Sequence, residues 1–316
     1  MLRVGLIGVG SWGPNLVRSL LANPRVTLSA IVDLDLERAR TIAPPGVPVA
    51  RELPSTGLDA VVIATPASTH VPLVRAALDL GLHVLVEKPL APTLADAEAL
   101  QSLTAHHQRT VMVGHVFLFN ASVLAIAEAL PRLGPLRLVS MQRTNLGPVR
   151  RDVSAVFDLL AHDVSMLDLW LGSTPSLVSA AGGQWLPGGG LDSVVATLTW
   201  ASGTVAHLHA SWLNPVKRRE VCLVGERAML TWDELDTTTP VRWFASTVEG
   251  TMTRPAAPTP LPVTPVEPLK AEVDHFVDAV LAGRAVRSDA SVGVRVVRTL
   301  AAIEASAAKS GAPVRP

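Results

Sequence analysis

The chain has 316 residues, a length that suits about two domains. Its 27 basic and 27 acidic residues balance, 48% of it is hydrophobic and only 17% charged. This excludes a disordered chain and leaves no general excess of cations for a nucleic acid. No run of about 18 apolar residues is present to cross a membrane, and the first residues lack the apolar length and cleavage site of a signal peptide.

The single cysteine, Cys222, allows no intrachain disulfide, which points to a reducing, cytoplasmic setting. A lone cysteine of this kind is expected to be a small buried hydrophobe.

Taken in chain order, the first third alternates strand and helix patterns. Strands are expected at 2–8, 26–32, 47–50, 59–64, 83–86 and 110–114. Helices are expected between them at 14–22, 34–42, 69–80 and 93–107, with Gly81 closing the third and Thr93 capping the fourth. Such alternation predicts a parallel, doubly wound sheet.

After residue 117 the pattern changes. A helix over 121–130 and a strand over 136–143 lead to a long amphipathic helix over 154–171. Strand-like runs follow without helices between them, at 176–185, 193–200, 203–212, 219–224 and 228–232, separated by turns such as Pro187-Gly188-Gly189-Gly190. They predict a mostly antiparallel sheet. Residues 251–268 carry six prolines and read as an extended connector, before two closing helices at 269–282 and 290–309.

Gly8-Val9-Gly10-Ser11-Trp12-Gly13 fits the pattern G-x-G-x-x-G. Alone that pattern is common. Here it follows a strand and opens a helix, and Asp33 ends the next strand, 33 − 13 = 20 residues on. Gly8 would make the tight turn, Gly10 would let backbone approach a pyrophosphate, and Gly13 would allow close helix packing. Ser11 and Trp12 fall within the same turn, and Trp12 is assigned a place near the cofactor. Asp33 would accept hydrogen bonds from the adenosine ribose, which favours NAD over NADP. No arginine directly follows it; the nearest are Arg38 and Arg40.

Glu87-Lys88-Pro89 follows the fifth strand. Ligands of open α/β sheets bind beyond the carboxyl ends of strands, so Lys88 is expected near the nicotinamide. Asp158 and His162 lie four apart on the long helix and share a face. The pair suits proton transfer, because a carboxylate orients an imidazole; it equally suits a simple helix-stabilising contact. Asp163 faces elsewhere and is read as a structural partner. No His/Cys/Asp/Glu cluster has the spacing of a closed metal site, and His106, His107, His207 and His209 read as surface or sheet residues.

These features together resemble the Gfo/Idh/MocA oxidoreductases. The resemblance rests on residues 8–15, Ala-Thr-Pro-Ala-Ser-Thr-His at 64–70, Glu-Lys-Pro at 87–89 and Val-Gly-His-Val-Phe at 113–117. Asn-Leu-Gly-Pro-Val-Arg at 145–150, Asp-Leu-Leu-Ala-His-Asp at 158–163 and Glu-Pro-Leu-Lys-Ala-Glu at 267–272 extend it. It implies a Rossmann domain over 1–118 and an α+β substrate-binding domain with a large open-faced sheet over 119–316, the closing helices returning to the first domain. It implies NAD(P)-linked hydride transfer at a ring carbon of a sugar, cyclitol or sugar nucleotide, in a branch that looks like sugar-nucleotide 3-dehydrogenases.

By the same resemblance Lys88, Asp158 and His162 are catalytic, and Thr65, Pro66, His70 and Glu87 line the cofactor or substrate cleft. Asn120, Arg143, Arg150, Arg151, Lys217 and Arg219 are candidates for polar or phosphate contacts. A homodimer or homotetramer through the open sheet is expected. A non-catalytic NAD-binding regulator and an NAD-dependent glycoside-cleaving enzyme are the alternative functions.

Overall fold

The computed structural model describes residues 1–187 and 190–316, so Gly188 and Gly189 of the expected glycine turn lie outside the described residues. The chain divides into two compact units. The first holds Met1–Phe119 and Val266–Val297, the second Asn120–Pro265 and Arg298–Pro316.

The first unit carries strands β1 (Leu2–Ile7), β2 (Val26–Val32), β3 (Val49–Ala50), β4 (Ala60–Ile63), β5 (His83–Glu87) and β6 (Val111–Gly114). Their order is β3-β2-β1-β4-β5-β6, and every pairing is parallel. Val4, Leu6, Val61, Val62, Ile63, Val84 and Val86 are almost wholly buried, as in a sheet covered on both faces. Burying each such side chain contributes about 1.5–3 kcal/mol.

Helices α1 (Gly13–Leu21), α2 (Leu36–Ile42), α3 (His70–Asp79) and α4 (Leu94–His106) join these strands. Asp35 caps α2 and Thr93 caps α4, each accepting a backbone N–H. The expected start of α2 at Leu34 moves two residues because the Asp35 side chain, by accepting the Arg38 N–H, sets the first turn. Short 3₁₀ turns stand at Ala67–Thr69 and Val116–Phe119.

A later segment completes this unit: helix α7 (Pro268–Ala282) and the start of α8 (Ala290–Ala307). The Val113 N–H donates to the Ser288 carbonyl at 2.7 Å, tying the α7–α8 loop to β6.

The second unit is built on an eight-stranded sheet. Its strands are β7 (Leu136–Leu146), β8 (Leu177–Gly183), β9 (Ser193–Thr199), β10 (Val205–Ser211), β11 (Leu213–Gly225), β12 (Met229–Asp233), β13 (Val241–Phe244) and, after a separate β14–β15 hairpin (Thr247–Glu249, Met252–Arg254), β16 (Thr259–Pro260). The order is β16-β13-β12-β11-β7-β10-β9-β8. Among the described residues of this sheet only β7 and β10 pair in parallel; the other pairings are antiparallel.

Alternation along the strands sorts the two faces. Val139, Met141, Leu198, Ala206, Leu208, Leu223 and Leu230 are buried on one, while Ser140, Gln142, Thr197, His207 and Thr231 are half-buried or exposed on the other. Cys222 corrects an expectation. It alternates with buried Val221 and Leu223, so it falls on the open face and is half-buried rather than a core residue. Burial still pushes its thiol up.

Helices α5 (Ala121–Leu133) and α6 (Ala161–Leu171) belong to this unit. The helix expected over 154–171 is not uniform: Val156–Leu160 is a π turn that passes into α6. Single π turns inside helices frequently mark functional sites. The proline-rich connector is extended, as its composition predicts, but contributes β15 and β16.

Candidate functional site

The β1–α1 turn separates the jobs of its glycines. Gly8 has φ +88°, and a Cβ there would meet Thr65 Cγ2 at 2.7 Å and the Ala64 carbonyl carbon at 2.8 Å. It must therefore be glycine for backbone and space alike. A Cβ on Gly13 would meet Val9 Cβ at 2.9 Å, so this glycine lets α1 close on the turn. Gly10 differs: a Cβ there meets nothing within 4 Å. The open space lies over the start of α1, whose first turn holds Pro14 and no acidic side chain. A helix N-terminus beside bare backbone fits a pyrophosphate. Gly8 and Thr65 stand after β1 and β4, the neighbours at which the strand order reverses.

Asp33 is almost buried after β2. Its Oδ2 accepts the Val9 N–H at 2.8 Å; its Oδ1 accepts the Asp35 N–H at 2.8 Å and Arg38 Nη2 at 2.9 Å. Burial opposes ionisation, but the two N–H donors and the Arg38 charge outweigh it, and the carboxyl titrates below its usual range. Arg38 is the partner that reasoning from adjacent positions missed. It is the third residue of α2, five residues after Asp33, a spacing that gives no local signal. Trp12, in the same turn, is 41% exposed and makes no side-chain cap.

Thr65 and His70 close the β4–α3 loop. The Thr69 hydroxyl donates to Thr65 Oγ1 at 2.6 Å, and fully buried His70 places its ring nitrogens 2.9 Å from the Pro89 carbonyl and 3.0 Å from the Thr65 carbonyl. His70 thereby spans the loops after β4 and β5, while Pro66 is exposed. At the end of β5 the Lys88 N–H donates to Glu87 Oε2 at 3.2 Å, and Glu87 pairs with Gly114 of β6.

Two buried groups, one near Lys88 and one near Glu87, had no role in the sequence reading. His115 is wholly buried; burial first and the Lys88 charge second push its pKa down to about 3, so the ring is neutral. Glu272 of α7 is also wholly buried, and burial followed by the Glu87 charge pushes its carboxyl well up. A glutamate inside an amphipathic helix looks solvated in sequence; only packing reveals otherwise.

In the second unit the π turn carries Asp158. Its Oδ2 accepts the indole N–H of buried Trp212 at 3.3 Å, and its Oδ1 accepts Arg150 Nη1 at 3.4 Å. Arg150 also pairs with Asp152, which holds its guanidinium up despite burial. His162 follows in the first turn of α6 and is half-buried. Trp212 was missed because it lies 54 residues from Asp158.

Asp163 is paired with Arg143. Nε and Nη2 of Arg143 reach Asp163 Oδ1 at 2.8 and 2.7 Å, with side-chain exposures of 4% and 2%. Burial raises the Asp163 carboxyl, and Arg143 opposes that rise. Arg143 Nη1 lies 3.6 Å from Glu234 as well. Arg219 donates to the Thr144 carbonyl and to Asn145 Oδ1. Asn120 spends its side-chain oxygen capping α5, accepting from Ser122 and Val123. Lys217 and Arg151 are exposed.

The comparisons with known proteins cover both units. Residues 2–115 match the model of an oxidoreductase family with an NAD-binding Rossmann fold, GFO_IDH_MocA, and residues 132–231 match the GFO/IDH/MocA C-terminal domain. The chain is 28% identical over 304 residues to UDP-N-acetylglucosamine 3-dehydrogenase of Acidithiobacillus ferrooxidans, covering 94% of each. The solved structure of that enzyme superposes with a TM-score of 0.85 over 96% of this chain and 97% of that one, at 26% identity. Inositol 2-dehydrogenase 2 of Paenarthrobacter aurescens is 30% identical over 66% of this chain and 68% of its own length. GenD2 from gentamicin A biosynthesis, solved in complex with NAD, is 27% identical, with a TM-score of 0.84 over 100% of this chain and 96% of that one.

Proposed function

This chain belongs to the Gfo/Idh/MocA family of oxidoreductases, and from that premise we propose the substrate class, cofactor preference and residue roles that follow. It is an NAD(P)-dependent dehydrogenase that moves hydride between a nicotinamide and a CH–OH carbon of a sugar or cyclitol. Within that class, the substrate is a sugar nucleotide oxidised at a ring hydroxyl. The relative that matches nearly the whole chain bears such a name, whereas the inositol dehydrogenase matches two thirds of it.

The single observation behind the cofactor assignment is the open space at Gly10, which follows Val9, whose N–H the Asp33 carboxylate accepts. Gly10, Ser11 and Trp12 would hold the pyrophosphate through backbone, and Asp33 the ribose, with NAD preferred to NADP. Because Arg38 already pairs with Asp33, the preference is a bias rather than a strict exclusion. Bound NAD supplies the hydride acceptor. Thr65, Pro66, His70 and Glu87 line the cofactor side.

His162 takes the proton of the reacting hydroxyl, and Asp158, held by Trp212 and Arg150, steadies the imidazole. The Lys88 ammonium of the first unit is the cation assigned to stabilise developing negative charge. Arg150, Arg151 and Lys217 are the cations offered to the diphosphate; Asn120, Arg143 and Arg219 serve the substrate side through the framework they hold. Self-association through the open sheet face, where Val195 is 52% exposed, and residence in the cytoplasm complete the proposal.

The test is a panel of nucleotide sugars and cyclitols with NAD and with NADP, read by the absorbance of the reduced cofactor and by product analysis. Oxidation of a nucleotide sugar is expected. Tight NAD binding without turnover across the panel would replace the enzyme with a regulator, and a cleaved glycoside would change the reaction class.

A further inference from the structure

Near Glu87 the first unit buries a second acid that the proposed chemistry does not use. Glu272 has no exposed surface, and neither of its carboxyl oxygens has a hydrogen-bond donor within reach. A carboxylate left so would carry a desolvated charge with nothing to offset it. The other charged groups on α7, and on α1 packed against it, are committed elsewhere: Arg18 to Glu267, Arg25 to Asp278 and Lys270 to Asp274. His275 accepts the Arg287 N–H.

The acid that acts on Glu272 is Glu87, whose own carboxylate accepts the Lys88 N–H. Two carboxylates placed together in an apolar site cannot both ionise, so one retains a proton. Glu272 is the more deeply buried and has no donor, whereas Glu87 has one. His115 cannot supply the missing charge; it is wholly buried, its ring nitrogens are unpartnered, and Lys88 disfavours its protonated form.

We propose that Glu272 is a positioning residue that stays protonated at neutral pH and shares that proton with Glu87, so that the pair holds one negative charge, not two, where Glu87 receives the Lys88 backbone N–H. The proton stays on Glu272 or on Glu87, and no bond other than a hydrogen bond is made or broken. With Glu272 neutral, the two acids carry one negative charge between them, and the Glu87 side chain is held where it receives the Lys88 backbone N–H. The consequence for catalysis rests on the role proposed for Lys88; the protonation itself does not.

The experiment has two arms. Infrared difference spectra of the free enzyme against Glu272→Gln at pH 7–8 should show a protonated-carboxyl band that moves in heavy water and is missing from the variant. No such band overturns the proposal. In the second arm Glu272→Leu should lose about tenfold in kcat, the worth of one hydrogen bond to a charged group, with NAD affinity kept and the pH profile of kcat displaced. Glu272→Gln, which keeps a neutral donor, should restore both. A parallel loss in both variants with an unmoved pH profile means a packing role and refutes positioning; if Glu272→Leu does not fold, the infrared result and the Glu272→Gln profile decide. Should Lys88→Ala keep full turnover while the band persists, the role of Lys88 fails and the shared proton stands.

Discussion

Replacing Asp33 with alanine tests the cofactor assignment most directly. Its carboxylate now satisfies the Val9 and Asp35 N–H groups and Arg38. A hydrogen bond from a ribose hydroxyl to a charged acceptor contributes about 1.5–3 kcal/mol, so NAD affinity should fall roughly 10- to 150-fold. NADP should not lose that interaction, because a 2′-phosphate is repelled by the carboxylate and attracted by the released Arg38. The ratio of the two dissociation constants should therefore move toward NADP by at least about tenfold.

The substitution also orphans the Val9 N–H, in a residue with no exposed surface, at a cost of about 1–3 kcal/mol of stability. Both dissociation constants should be measured by titration calorimetry below the melting transition of the variant. Arg38→Ala, made in parallel, should weaken NADP in the Asp33→Ala background alone. Because the folded-state pKa of Asp33 is depressed, its contribution to stability is present above the ordinary carboxylate range and is lost as pH falls through the folded value. Neutral assays therefore compare an ionised group with none. An unchanged NAD-to-NADP ratio would refute the reasoning and assign the ribose to another residue.

Gly10→Ala should leave the melting temperature unchanged, since its Cβ meets open space, yet weaken NAD at least about tenfold; Gly8→Ala should destabilise the free protein, and a reversal of the two patterns would disprove the division of roles. Lys88→Ala should reduce kcat by about 10²- to 10³-fold with the NAD dissociation constant nearly unchanged in a fluorescence titration. Asp163→Asn leaves Arg143 buried beside a neutral amide and should cost about 3–5 kcal/mol in calorimetry, whereas replacing both partners with apolar residues should cost far less. Glu272 has a raised folded-state pKa, so it erodes stability as pH climbs above its unfolded value, by up to about 1.4 kcal/mol per pH unit until the folded value is reached. Glu272→Gln should accordingly melt higher than the parent at pH 8, with the gap closing toward pH 4.

Much of this molecule was legible locally. The apolar runs at 60–63 and 84–86 need no partner to announce buried parallel strands, and Thr93 announces its helix by the N–H it caps. The glycine turn and Asp33 were legible because their spacing reflects a strand, a turn and a helix of ordinary length. The even reading of Asp158 and His162 could not be resolved locally, because the π turn and the Trp212 bond depend on segments far apart in sequence. Cys222 was misjudged because residue type records hydrophobicity, not which face of a sheet a strand register selects.

What the amino-acid sequence determined by itself was the order of elements and the nucleotide turn, both set by neighbours within one turn or one strand. Tertiary structure alone decided the charge states. Arg38 meets Asp33, Arg143 meets Asp163, and Glu272 is left without a donor because chain segments distant in sequence pack together and expel water. Desolvation and the nearest opposite charge set whether a group is ionised, and both are properties of the packed interior that no run of adjacent residues encodes.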